Sequence, residues 1–281
     1  VAELTVCSTT EEMTTLSRSW IAEGHTIAVV PTMGALHRGH VVLIREALRR
    51  ANRVVVTVFV NPTQFDRATD LDAYPRDLAA DLMTCEAEGV HAVFAPSVAE
   101  VYPQGATTSV DPGPIADRLE GEHRPGHFSG VATVVLRLFE IVSPHVAVFG
   151  EKDAQQLAIV RSVCEPREID IVGVPTVRES DGLALSSRNV QLDPVARQAA
   201  TALPRALESV NDAWIAGLAG IDELRARGIG IIEEAGGEVD YLDLVDPATF
   251  LPCSSPERGD LIVAAAWFGG VRIIDNLQLG S

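Results

Sequence analysis

TIAVVPTMGALHRGHVVLIREALRRANRVVVTVFVNP, residues 26–62, holds two β-like runs with a helix-like run between them. Residues 26–30 (TIAVV) are apolar and stop at Pro31. After a polar loop, residues 41–51 (VVLIREALRRA) repeat apolar side chains at helical spacing. Residues 54–60 (VVVTVFV) are rich in β-branched residues and end at Asn61-Pro62, a strong breaker. Strand, helix and strand at these lengths predict two parallel strands joined by a right-handed crossover.

The alternation continues in both character and order. Leu78–Glu88 reads as a helix, residues 90–95 as a strand, 131–142 as a buried helix, 146–149 as a strand, Ala154–Cys164 as a helix and 169–174 as a strand. The expected fold class is therefore α/β, a Rossmann-like doubly wound parallel sheet with helices on both faces. After about Val177 the texture changes. Asp193-Pro194 looks like the N-cap and first residue of a helix that Pro204 kinks or divides. Residues 239–245, Leu261–Phe268 and 271–277 read as strands, the last two joined by the two-residue hairpin signal Gly269-Gly270. The expectation is a Rossmann-like domain over residues 1–176 and a smaller α+β domain with an antiparallel sheet over 177–281. Residues 211–237 are Ala/Gly-rich and carry no clear pattern.

Ligands of open α/β sheets sit beyond the carboxyl ends of the strands. The unusual polar segments all fall there. They are Pro31-Thr32-Met33-Gly34-Ala35-Leu36-His37-Arg38-Gly39-His40, Asn61-Pro62-Thr63-Gln64, Gly150-Glu151-Lys152-Asp153-Ala154-Gln155-Gln156, and Arg178 to Gly182 followed by Ser186-Ser187-Arg188-Asn189. His37 and His40 flank Gly39 where a helix opens. A helix N-terminus offers unpaired N–H groups and a positive dipole end, which suit a triphosphate. Two imidazoles three residues apart suit hydrogen bonds to phosphate oxygens as charge grows there. Either histidine alone would be an ordinary cap or surface residue; the pair directly after a strand is the sharper signal. Lys152 lies between a strand and a helix. Ser186-Ser187-Arg188 offers two hydroxyls and a permanent cation for β,γ-phosphates, and its bland alternative is a polar loop. Gln64 and Gln156 are uncharged donors and acceptors, which suit orienting a hydroxy-acid and equally suit ordinary loop polarity.

Other classes find no support. Residues 26–62 lack G-x-G-x-x-G, the chain lacks the P-loop and G-x-S-x-G elbow, and the wide scatter of Cys7, Cys85, Cys164 and Cys253 matches no zinc spacing. A net charge of −17 argues against a nucleic-acid footprint. No apolar run reaches the roughly 20 residues that cross a bilayer, and the first residues lack a signal-peptide pattern, so no membrane is expected and the default compartment is the cytoplasm.

The blocks PTMGALHRGH, VFVNPTQF, LDAYPR, HRPGHFSGV, FGEKDAQQL and VPTVRESDGLALSSRN, and the final VRIIDNLQL, run through nearly the whole chain. H-x-G-H resembles the nucleotidyltransferase superfamily, and the full set resembles the pantothenate synthetase (pantoate–β-alanine ligase) family. The resemblance implies ATP-dependent condensation of pantoate with β-alanine through a pantoyl adenylate, releasing AMP and pyrophosphate. It also implies Mg²⁺, a homodimer and a C-terminal lid. By motif match, the ATP site would take Pro31, Thr32, Met33, Gly34, Ala35, Leu36, His37, Arg38, Gly39 and His40. It would be completed by Gly150, Glu151, Lys152, Asp153, Val177, Leu185, Ser186, Ser187 and Arg188. His40, His37, Lys152 and Arg188 form the expected catalytic set. Gln64, Gln156, Asn61, Arg124 and His127 form the expected substrate set, and Asp81 is the expected metal ligand. Arg38, Ala154 and Leu185 depart from the residues usual in the family, and none of the three removes a catalytic group. The alternatives are a related H-x-G-H nucleotidyltransferase, a class I aminoacyl-tRNA synthetase fragment, which the acidity disfavours, and a non-enzymatic nucleotide-binding protein.

Overall fold

The computed structural model describes residues 3–65, 68–103, 109–218 and 220–281. Six strands form one sheet: β1 (Thr5–Cys7), β2 (Ile27–Thr32), β3 (Arg53–Val58), β4 (Ala92–Phe94), β5 (Val146–Gly150) and β6 (Asp170–Val174), in the order β1-β4-β3-β2-β5-β6. Every pairing is parallel. From β2 the chain winds outward through β3 and β4, then returns to β5 and β6 on the other side of β2. β2 and β5 therefore flank the point where the winding reverses, where open α/β sheets place their ligands.

The strands are near-continuous apolar runs because both faces of a parallel sheet are covered. Ala28, Val30, Val54, Val56 and Val93 pack with Ile44 and Ala47 of the helix Arg38–Arg50 and with Cys85 of the helix Leu78–Glu88. The helices Thr10–Ala22 and His127–Val142 contact each other and β2.

Several boundaries differ from the sequence expectation. β2 runs through Pro31 to Thr32. Even-numbered residues of β2 turn their backbone toward β3, while Ile27 turns toward His145 before β5. By that alternation the Pro31 nitrogen faces β5, where pairing has already ended at Val29, so the missing N–H leaves no ladder bond broken. β1 and the helix Thr10–Ala22 lie outside the sequence expectation, although Thr9 and Glu12 form a capping box that starts the helix. The break near Pro204 falls earlier, at Ala200-Thr201. Pro204 sits in the first turn of Ala202–Ile215, where an N–H would have no intrahelical acceptor.

The chain divides into two compact units, Val1–Glu151 with Ile159–Pro175, and Lys152–Ala158 with Thr176–Ser281. The second contains an antiparallel sheet of β7 (Glu238–Val245), β8 (Leu261–Phe268) and β9 (Val271–Gln278). Leu207, Val210, Leu224 and Ile232 from the helices Ala202–Ile215 and Ile221–Glu234 join Leu244, Ile262 and Phe268 in its core. Those helices occupy much of the unpatterned stretch. Gly269 and Gly270 have φ of +55° and +79°, the left-handed pair that a two-residue hairpin turn requires.

Candidate active site

The loop after β2 is held from inside. The Thr32 hydroxyl donates to the Thr57 carbonyl (2.6 Å) and accepts from the Gly34 N–H (3.1 Å). Gly34 and Ala35 then take positive φ, +82° and +51°. This turns two N–H groups onto Asp81, which accepts from Ala35 (3.1 Å) and Leu36 (2.7 Å) and is 2% exposed. A Cβ at Gly34 would meet Asp81 Oδ2 at 2.8 Å, so glycine is needed for both φ and space. The expectation of a metal at Asp81 thus meets a different use of the carboxylate. Each oxygen already holds a loop amide, and among the described residues no group of three or more His, Cys, Asp or Glu is placed to hold a metal ion. Cys85, one turn along the same helix, has its thiol pushed up to about 12, first by burial and then by the charge of Asp81.

The helix begins at Arg38, three residues before the apolar pattern, because the two histidines cap it. His37 is the N-cap, and its Nδ1 accepts from the Gly39 N–H (3.1 Å). His40 reaches back, and its Nδ1 accepts from the His37 N–H (3.2 Å). The rings lie 4.1 Å apart between centroids. Both Nδ1 atoms act as acceptors, so each neutral ring carries its proton on Nε2. The capping box therefore fixes the tautomer and puts two Nε2–H donors at the helix N-terminus. Burial, and then the neighbouring His37, push the His40 imidazole down to about 3.

A pH dependence follows. His40 is a base whose folded value lies below its ordinary 6.5. Between those values the unfolded chain takes up a proton that the folded chain does not. The ring's contribution to stability is thus whole above about 6.5 and declines as pH falls toward 3. We expect the His40 ring C–H resonances not to titrate between about pH 5 and pH 8; a midpoint near 6.5 in the folded protein would contradict the assignment.

Gln64 lies in the short turn Pro62–Gln64 after β3 and is 8% exposed. Its Oε1 accepts from Asn61 Nδ2 (3.1 Å), and its Nε2 donates to Met33 Sδ (3.1 Å). Asn61 is fixed in turn. Its Nδ2 also donates to the Gly130 carbonyl (3.1 Å), and its Oδ1 accepts from the Tyr102 hydroxyl (2.9 Å). The Gln64 carbonyl accepts from His127 Nδ1 (2.7 Å) and from Arg124 (3.2 Å). A carbonyl only accepts, so His127 carries its proton on Nδ1, and its Nε2 faces Arg124 at 3.3 Å. Gly130, in the first turns of the helix His127–Val142, allows this contact. A Cβ there would stand 2.4 Å from the Thr63 carbonyl oxygen and 2.8 Å from the Gln64 nitrogen. Asn61, Gln64, Arg124 and His127, expected from separate stretches of sequence, thus meet in one network. Tyr102 belongs to it without a sequence signal, because nothing local marks a tyrosine 41 residues away.

Gly150 ends β5, paired with Val174, and Glu151 follows it in a single turn. In the C-terminal unit, the Lys152 side chain is 15% exposed, with its Nζ 4.0 Å from Asp153. Of the two glutamines, Gln155 is buried and Gln156 half-buried. The Leu185 N–H donates to the Val177 carbonyl (2.9 Å), closing a hairpin over residues 177–185. Ser186 then caps the turn Ser187–Gln191 by accepting from the Arg188 N–H (3.3 Å). Arg178 donates to both oxygens of Asp275, at 2.6 and 3.0 Å. Asp275 also lies outside the sequence expectation, although its signal is present. It occupies an inward position of β9 in line with Val271 and Ile273, and a carboxylate there needs a partner.

No helix among the described residues is long and apolar enough to cross a membrane. Residues 5–278 match the family model described as pantoate-beta-alanine ligase. The chain is 49% identical over 259 residues to the pantothenate synthetase of Rhizorhabdus wittichii, covering 91% of this chain and 92% of the relative. It is 49% identical over 282 residues to that of Mycolicibacterium smegmatis, covering 99% and 88%. The crystal structure of pantothenate synthetase from Thermus thermophilus superposes with a TM-score of 0.91 at 43% identity, over 98% of this chain and 99% of that one. The pantoate-beta-alanine ligase of Francisella tularensis, complexed with beta-gamma ATP and beta-alanine, gives 0.85 at 32% identity, over 99% of each chain. A parallel sheet with capping histidines at its switch point, and kinship over almost the full length, place this chain in the pantoate–β-alanine ligase family.

Proposed function

We propose that this chain joins (R)-pantoate to β-alanine in two steps. The pantoate carboxylate attacks the α-phosphorus of ATP, pyrophosphate leaves, and a pantoyl adenylate forms. The β-alanine amine then attacks the acyl carbon, the amide bond forms, the amine's proton is lost and AMP departs. A carboxylate is a poor electrophile and AMP makes it a good one, so adenylation comes first.

The pair of Nε2–H donors on His37 and His40 carries this reading. They stand at a helix N-terminus beyond the strand at the switch point, where a nucleotide phosphate is best received. Their donors need no reorganisation as charge develops on the α-phosphate. Residues 31–40 with Gly150 and Glu151 are assigned to ATP. So are Lys152, Asp153, Val177, Leu185 and Ser186 to Arg188, with Lys152 and Arg188 as the cations for the leaving pyrophosphate. Gln64 and Gln156 are assigned to pantoate, with Gln64 also meeting β-alanine, and Asn61, Arg124 and His127 supporting Gln64. The described residues offer no all-protein metal cage, so Mg²⁺ would arrive on the triphosphate and neutralise its charge, as this ion commonly does. The family resemblance extends the proposal to a cytoplasmic homodimer.

Pantoate-dependent exchange of labelled pyrophosphate into ATP, with β-alanine absent, tests the order of steps. Exchange is expected. ADP as the product, or exchange that strictly requires β-alanine, would replace adenylation by another mechanism.

A further inference from the structure

Two cation-bearing segments of the C-terminal unit end on two adjacent residues of β9. Asn276 Nδ2 donates to the main-chain carbonyl of Lys152 (2.9 Å). Asp275 takes the Arg178 guanidinium in a fork, and the same guanidinium donates to the Asn276 carbonyl (3.1 Å) and the Gly182 carbonyl (3.0 Å). Arg178 starts the hairpin of residues 177–185, whose second strand runs directly into Ser186-Ser187-Arg188. Asn189 Nδ2 donates back to the Ala184 carbonyl (3.0 Å), so the turn bearing Arg188 is tied to the same hairpin. Asp275 is 3% exposed and its backbone lies in the β8–β9 ladder, so the anchor is rigid.

We propose that Asp275, Asn276 and Arg178 are positioning residues that set where Lys152 and Arg188 stand, and so tune the adenylation half-reaction. This rests on the reading of Lys152 and Arg188 as phosphate-binding cations. The physical ground is the alternation of a strand: Asp275 and Asn276 project from opposite faces of β9. One strand thereby fixes a loop on each face, and the two cations inherit their placement from a single rigid element. A lysine on a four-carbon stem has many rotamers, and a held main chain is what limits its reach.

A mutant cycle in pantoate-driven pyrophosphate–ATP exchange tests the proposal on the full chain. Lys152→Ala is expected to cut exchange turnover by about a hundredfold. Asn276→Ala is expected to cut it by about tenfold and leave half-saturating pantoate unchanged, since a small misplacement costs rate. The double variant is expected to be no slower than Lys152→Ala, because the amide acts only through the residue it holds. Losses that multiply would show that Asn276 acts elsewhere, and would overturn the positioning role while leaving the Lys152 assignment intact. An indifferent Lys152→Ala would overturn that assignment and this proposal together. Asn276→Thr, which suits a strand but lacks the reach of the amide, serves the same cycle if the alanine variant does not fold. Arg178→Lys, which keeps the charge and loses the fork, is expected to show the same non-additivity with Arg188→Ala.

Discussion

His40→Ala is expected to lower kcat by at least about 10²-fold, the scale of losing one preorganised donor, while the KM for ATP moves only a few-fold. The His40 Nδ1 is already committed to the His37 N–H, so its Nε2–H is the atom available to a phosphate oxygen. A contact that strengthens as charge builds on the α-phosphate appears in kcat, whereas one equally strong in the ground state appears in KM. Loss of the cap alone would cost about 1 kcal/mol of stability, which does not touch the chemical step. His40→Gln separates the two effects. Glutamine is a good third residue for a capping box, so the variant should unfold near the parent midpoint and still lose most of its turnover. A variant within a few-fold of the parent kcat would remove His40 from the chemistry.

Arg178→Ala is expected to cost about 3–5 kcal/mol of unfolding free energy near pH 7, the range for orphaning a buried ionic partner. The Asp275 side chain is 1% exposed, against 26% for Arg178. Removing the arginine leaves a buried carboxylate that keeps the Asn276 N–H (2.8 Å) but loses this cation; removing the aspartate leaves a cation that is partly exposed and still holds two carbonyls. Arg178→Ala should therefore destabilise more than Asp275→Ala. Urea unfolding of both variants near pH 7 decides this, and an equal or reversed order of loss would contradict it.

The sheet is legible because its strands are covered on both faces and read as unbroken apolar runs. Leu78–Glu88, Ala154–Cys164 and Leu261–Phe268 are readable to the residue. The helix at the candidate site starts one turn before its apolar pattern, since His37, Arg38, Gly39 and His40 carry no apolar face and their helicity comes from reciprocal side-chain caps. The separate polar loops point to the right strand ends, because parallel strands share a direction. The partners of those loops are not legible. Asp81 lies 45 residues beyond the Leu36 amide that it holds, and Asp275 lies 97 beyond Arg178. Such pairs are set by tertiary placement, and a single chain read in order gives each member without its mate.

Gly130 leaves no room for even one methyl group between the helix His127–Val142 and the turn bearing Gln64. Backbone there rests against backbone, so the helix acts as a fixed stop for that turn. Side-chain replacement at position 130 has no tolerated direction: every residue other than glycine pushes the turn the same way. Under the proposed role of Gln64, a change in which hydroxy-acid is preferred must therefore be sought at Met33, whose sulfur accepts from the Gln64 amide, and not at Asn61, whose side chain also holds the backbone of the turn through the Thr63 N–H and reaches the Gly130 carbonyl. Libraries that vary Met33 and hold Asn61 and Gly130 constant would sample the sizes of acid that the stop permits.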